Sequence, residues 1–329
     1  MKKKMMPKIL GIVMAVVLFA MAPLFLTACG ASADLTAVVK AAAKDYYKNH
    51  VNYENFANTT YVYETNNVEK WQDEVEYKVN AEDEEFTTGK FDFSDTLNVV
   101  YKIQVVNVEE GKLALVIDIT STETKKEYDA DENDLLKEIV DVSSRHTIYT
   151  YSYITEAENT TYYLTKSYEV RKGEEVVETN KFYRVYDDED EYVDALEDIF
   201  EAIDDKMISN AYLEFTTGEI LLFYSHMLDT EVSGKNAKVK LSYDTFYVNN
   251  AEIYDVEVCF EVGFENNKFG KVKMNSKSSN DNFTAEQSSN FHVEYSAENV
   301  DTVITYAGAT ERPYLSANDD IPRVEIGLM

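Results

Sequence analysis

The sequence predicts an α+β protein that is mainly β: a large curved antiparallel sheet or half-barrel, with an N-terminal helix and two or three covering helices. Three observations carry this. Apolar residues alternate with polar ones in segment after segment, as on strands with one buried face. Helical spacing is confined to a few short stretches. With only 11 glycines among 329 residues, the glycine-bearing loops of repeated parallel α/β units are scarce.

Taken in order, "ADLTAVVKAAAKDYYKNH" reads as an amphipathic helix with Asp34 as N-cap and alanines inside. "TLNVVYKIQVVNV" puts Leu97, Val99, Tyr101, Ile103 and Val105 on one face, and "KLALVIDIT" continues with Leu113, Leu115, Ile117 and Ile119. "EEG" at 109–111 is the turn of that hairpin. A second helix is predicted in "ADENDLLKEIVDVSS", where acidic residues suit the N-terminal end. "HTIYTYSYIT", "TTYYLTKSYEVRKG" and "EEVVETNKFYRVY" form a meander with a turn at Lys172 and Gly173. The third helix is "DDEDEYVDALEDIFEAIDD", with Tyr192, Ala195, Leu196, Ile199, Phe200 and Ile203 at helical spacing. "AYLEFTTGEILLFYSHML" fits either a strand or a buried helix, and strands resume in "KVKLSYDTFYV", "AEIYDVEVCFEVGF", "KFGKVKMNS" and "SNFHVEYS".

The N-terminus fixes an address. "MKKKMMPK" places four lysines before an uncharged stretch from Ile9 to Ala28. That run is long enough to span a bilayer, but Pro23 interrupts it and no basic stop signal follows. It ends in Leu26, Thr27, Ala28 and Cys29, which resembles the lipobox of the bacterial lipoprotein family. The resemblance implies cleavage after Ala28 and a diacylglyceryl thioether on Cys29, hence a protein tethered to the outer, extracytoplasmic face of the cell membrane. The expected organisation is a signal peptide at 1–28, a short lipid-proximal linker at 29–33, a β-rich domain at 34–306 and a loose tail at 307–329. "EFTTG" occurs at 85–89 and again at 214–218, so two similar halves meeting near 187–210 are the alternative to one domain.

Removing the leader's four lysines leaves 27 basic against 61 acidic residues, a net charge of −34 on the mature part. Such a surface repels nucleic acid and anionic lipid headgroups. Cys259 is the only cysteine besides Cys29; an intramolecular disulfide is therefore excluded once Cys29 is lipidated, and Cys259 reads as passive. The four histidines, at 50, 146, 226 and 292, show no metal-ligand spacing. In "DADEND" Asp134 stands where a calcium loop needs glycine. No nucleophile elbow or phosphate loop is present, so the reading is non-enzymatic, with neither metal nor cofactor.

The aromatic pattern offers the one candidate site. Tyr149, Tyr151 and Tyr153 share a strand face. That face either lines a groove for an apolar or amphipathic ligand or paves a half-buried sheet. The order of elements also resembles the half-barrel lipoproteins of the lipoprotein-carrier superfamily, which implies an acyl-chain carrier without carrying over any site residue. Two functions follow as expectations. One is a lipid-anchored binding or carrier module; the other is an envelope structural or interaction protein whose acidic surface meets a basic protein partner.

Overall fold

The computed structural model describes residues 33–49, 58–77, 87–109, 112–129, 134–186, 188–213, 228–249, 252–297 and 308–324. Helix α1 (Ala33–Asn49) is followed by six strands: β1 (Thr59–Tyr77), β2 (Thr87–Glu109), β3 (Lys112–Asp129), β4 (Leu135–Glu156), β5 (Asn159–Lys172) and β6 (Glu175–Tyr186). Helix α2 (Glu189–Ile203) runs directly into a π-helical segment (Asp204–Leu213). Five strands follow, β7 (Leu228–Ser233), β8 (Asn236–Asn249), β9 (Glu252–Glu265), β10 (Lys268–Ser279) and β11 (Phe283–Glu294). The two-residue β12 (Thr310–Glu311) and a 3-10 turn (Asn318–Asp320) end the described chain.

All twelve strands lie in one open sheet, in the order β12-β6-β5-β4-β3-β2-β1-β11-β10-β9-β8-β7. Among the described strands the long pairings are antiparallel, and only β12 on β6 is parallel. β1 is thus central. Neighbouring hairpins grow from it to β6, the helical segments lie between β6 and β7 in sequence, and β7 to β11 return to pair with β1.

Both α-helices and the C-terminal segment pack on one face, here called the inner face. On it Tyr61, Tyr63, Ile103, Val105, Leu115, Ile117, Phe260, Val262 and Phe291 are buried. Helix α1 lays Leu35, Val38, Val39, Ala42 and Tyr46 against them, a stripe at helical spacing. Helix α2 is capped by Asp188, whose carboxylate accepts from the Glu191 N–H at 2.7 Å. It buries Tyr192, Leu196, Ile199, Phe200 and Ile203. The π-helical segment adds Met207, Ile208, Ala211 and Tyr212. The Tyr212 ring lies 4.3 Å from that of Phe269, and its hydroxyl donates to the Gly270 carbonyl. A strip of the opposite face, Thr60, Gln104, Ala114, Val116, Thr150 and Ser152, is also buried.

Strand length decides where this cover ends. The 23 residues of β2 extend roughly 75 Å at ~3.3 Å each, whereas the 17 residues of α1 reach only about 25 Å at ~1.5 Å each. The helices cover the end of the sheet near the β2–β3, β4–β5 and β9–β10 turns. Toward the opposite, distal end, large inner-face side chains emerge into solvent, including Tyr247 (40% exposed) and Ile139 (41%).

Several expectations are met. The described helix over 33–49 and α2 agree with the sequence pattern, as do the alternating strands and the turn at Gly173, which adopts φ 57°. The predicted helix at 130–144 is corrected. From Leu135 onward this stretch is strand β4, paired with β3 from Tyr128 to Leu113 with one register shift that leaves Leu136 without a partner in the ladder. Ile139, Val140 and Val142 are β-branched, and the ladder with Lys125, Thr124 and Thr122 outweighs a weak helical preference. The "EFTTG" comparison rests largely on 214–218, outside the described residues, as does most of the ambiguous stretch after Leu213.

The expected loose tail is also corrected over 308–324. Ala317, Ile321 and Val324 are 1–3% exposed within the core, and the Val324 N–H donates to the Lys206 carbonyl at 2.7 Å. Phe260→Ala, in the covered half, should cost about 3–5 kcal/mol of unfolding free energy. Phe246→Ala, on the solvent-exposed outer face of the distal half, should change it by less than about 0.5 kcal/mol. Chemical denaturation of the two variants checks this division.

Candidate binding surface

Cys29 lies outside the described residues. The tyrosine face is described, and it is closed. Tyr149 and Tyr151 are 0% and 1% exposed, so they belong to the core and line no open groove. What closes them is the remote C-terminal segment. Beside Tyr151, a cavity of about 60 Å³ remains between Tyr186, Ile199 and Leu315–Ala317. At ~30 Å³ per water molecule that is room for about two waters and far too little for an acyl chain. Tyr153 is half-buried, its ring tilted against that of Tyr162 at 6.0 Å with the Lys112 ammonium 5.1 Å from its centroid.

One carboxylate of the segment ties it to β4 and β5. Asp320 accepts from the Tyr149 hydroxyl at 2.5 Å and from Lys166 Nζ at 2.6 Å, and the Arg145 guanidinium stands 3.4 Å away. The Tyr149 hydroxyl also lies 3.1 Å from the Ser316 carbonyl oxygen. Burial by itself would raise the Asp320 carboxyl, but the hydrogen bonds from Lys166 and Tyr149 and the two positive charges hold it below the usual carboxylate range. Burial is also the main cause that pushes the Tyr149 phenol far up, so it remains a donor.

At the distal end of the inner face, aromatic rings form a row across the sheet. Phe93, Trp71 and Phe283 are register neighbours on β2, β1 and β11, and Tyr254 and Tyr247 are partners on β9 and β8. Trp71 stacks on Phe93 at 5.4 Å, Tyr254 meets Phe283 edge-on at 6.0 Å, and Tyr247 stacks on Tyr254 at 4.9 Å. Tyr247 is 40% exposed and the other four rings are half-buried. Between this row and the core the same face is polar, with Glu69 opposite Asp95 and Asn67 opposite Leu97. Asn67 Oδ1 and Asp95 Oδ1 are buried acceptors with no hydrogen-bond partner, while Glu69 on the same face is exposed. None of these five rings was singled out in the sequence. Each is the lone aromatic of its row on its own strand, and only the register brings them together.

Cys259 falls on the opposite face, as its alternation with Val258 and Phe260 implies. It lines an open cleft of about 510 Å³ with Lys240, Glu257, Lys277 and Glu286. Among the described residues no three histidine, cysteine, aspartate or glutamate side chains are placed to hold a metal ion. No described helix is long and apolar enough to cross a membrane.

Tyr149→Ser should destabilise the protein by about 3 kcal/mol or more through lost packing, whereas Tyr153→Ser should cost about 1 kcal/mol or less. Because the folded Asp320 carboxyl titrates below its unfolded value of ~3.9, its contribution is present above that pH and is lost as pH falls through the folded value. Asp320→Asn should therefore lower the melting temperature at pH 7, and the difference from wild type should shrink as the pH drops below ~4. Calorimetry across that range checks both.

No protein-family model matches the chain, and no curated protein matches it. Among solved structures, the translocator domain of the autotransporter NalP from Neisseria meningitidis is 8% identical, covers 81% of this chain and 96% of its own, and gives a TM-score of 0.16. The transport unit of the autotransporter AIDA-I from Escherichia coli is 9% identical, with 78% and 97% covered and a TM-score of 0.14. The β domain of the Bordetella autotransporter BrkA is 6% identical, with 72% and 99% covered and a TM-score of 0.12. Values of this size assign the chain to no family.

Proposed function

We propose that this protein is a lipid-anchored, extracytoplasmic binding module of half-barrel form, tethered through Cys29, which takes an amphipathic ligand on the uncovered half of its inner face. The observation that carries the reading is the row of Phe93, Trp71, Phe283, Tyr254 and Tyr247, partly exposed beside the exposed carboxylate of Glu69. Partly exposed aromatic rings give an apolar ligand body something to cover. The exposed carboxylate of Glu69 on the same face favours a head that donates hydrogen bonds, such as the hydroxyls of a monoacylglycerol. This reading puts the ligand on the distal row instead of on Tyr149, Tyr151 and Tyr153. The tether itself is supported by the lipobox alone.

Trp71 is the chain's only tryptophan and belongs to the row, so its emission reports directly on occupancy. Titration with a monoacylglycerol below its critical micelle concentration should shift Trp71 emission to the blue and saturate. The double variant Tyr247→Ser, Tyr254→Ser retains the reporter. It should weaken binding by about tenfold or more, since each ring forfeits up to ~1.5–3 kcal/mol of burial, at an unchanged melting temperature. No emission change, or equal affinity in the variant, would overturn the proposal. Separately, Cys29→Ser should release the protein from membranes, and a Cys29→Ser protein that stays fully membrane-bound would remove the lipid tether.

A further inference from the structure

A second unsatisfied surface is an edge of backbone. β5 pairs with β4 only from Ser143 onward, where the β5–β6 turn intervenes. The last contact is the Gly173 N–H donating to the Val142 carbonyl at 2.8 Å. From Leu135 to Val142, β4 pairs with β3 on one side. On its other side no strand pairs with it among the described residues. Residues in an extended strand turn both their N–H and C=O to the same side, alternating along the chain. Because Val142 faces the β5 side, so do Val140 and Glu138, whereas Ile139 and Asp141 face β3. The N–H and C=O groups of Glu138 and Val140 are therefore presented to solvent.

This edge is apolar where open edges are ordinarily blunted. Leu135, Leu136, Ile139, Val140 and Val142 are 41–53% exposed. Lys137, Glu138 and Asp141 interrupt them, and Lys126 already engages Glu138 at 3.2 Å. Along the described part of the hairpin from Glu123 to Asp141, six carboxylates (Glu123, Glu127, Asp129, Asp134, Glu138 and Asp141) stand against three ammonium groups (Lys125, Lys126 and Lys137), so the net charge beside the edge is negative.

We propose that the open edge of β4, residues 135–142, is a docking site for an extended polypeptide segment that adds to the sheet as a strand and alternates apolar residues with lysine or arginine. The partner's backbone satisfies Glu138 and Val140, its apolar residues cover Leu136 and Val140, and its cations meet the acidic surround. The chain's own acidity, −30 overall, opposes a second copy in that place. This site is separate from the aromatic row and does not depend on it.

The test uses a short labelled peptide in which valine and lysine alternate, titrated with the protein and read by fluorescence anisotropy. Wild type should bind it, and a peptide with glutamate in place of lysine should bind at least about tenfold more weakly. Val140→Pro removes an outward N–H and leaves the β3 ladder intact, so it should weaken binding by about tenfold or more at an unchanged melting temperature. Ile139→Pro breaks the ladder and should lower the melting temperature. Hydrogen exchange on the wild type reads the same point without a variant: the peptide should slow the Glu138 and Val140 amides, which exchange fast in the free protein. The proposal is overturned by absent peptide binding, by equal affinity in Val140→Pro, or by unaltered exchange at Glu138 and Val140. Sedimentation showing a wild-type dimer that Val140→Pro dissolves would give the edge to a second copy and overturn it as well.

Discussion

The pairing of β1 with β11 is the constraint on which the rest of the structure depends. It runs from Thr60 opposite Glu294 to Trp71 opposite Phe283 without a bulge, and the Thr60 hydroxyl adds a bond to the Ser296 carbonyl across 236 residues of chain. Without it the protein would be two separate meanders. With it, a chain that has built outward from β1 to β6 must recross to the far edge before it can build inward again. Helix α2 and the π-helical segment lie in that recrossing, and the inner-face core forms where they and α1 press on the strands. Contacts so distant in sequence come late and at an entropic cost that grows only slowly with loop length.

The same arrangement explains why one half of the sheet is a packed protein interior and the other a single layer. Helices supply cover at ~1.5 Å per residue and strands demand it at ~3.3 Å, so two short helices and a C-terminal segment cannot roof strands of 18 to 23 residues. The fold leaves backbone and rings unsatisfied at the distal end as a consequence of length. Both proposed recognition surfaces lie there, the aromatic row on the inner face and the open edge beyond the reach of β5.

What was legible in the sequence was whatever is local. Alternation showed which side of β2, β3 and β9 is apolar, and the spacing of Tyr192, Leu196, Ile199 and Phe200 located α2. The fate of Tyr149 and Tyr151 was not local. Alternation placed them together on one face, but whether that face is groove or core depends on Ala317 and Asp320, which belong to a stretch without periodicity. That stretch is ordered by charge and burial at particular residues, which leave no repeating pattern. The β4 helix misreading has a similar origin: Leu135, Leu136, Ile139 and Val140 suit one helical stripe, and only the facing β3 ladder selects the strand. The aromatic row was invisible because its members come from five strands and meet through register alone.

The acidity of the chain bears on both surfaces through one argument. Along the single-layer half, carboxylates stand on both faces in water, where each is solvated and costs the fold little. Two copies brought edge to edge would crowd those charges together, with repulsion extending over about a Debye length of ~8–10 Å at ordinary ionic strength. An apolar edge such as Leu135–Val142 is in this way kept from pairing with itself without being made polar. A basic strand meets no such barrier, since its cations replace the small counterions already gathered there. Charge that reads as a diffuse compositional bias thus becomes, at an open edge, a rule for which partners can approach.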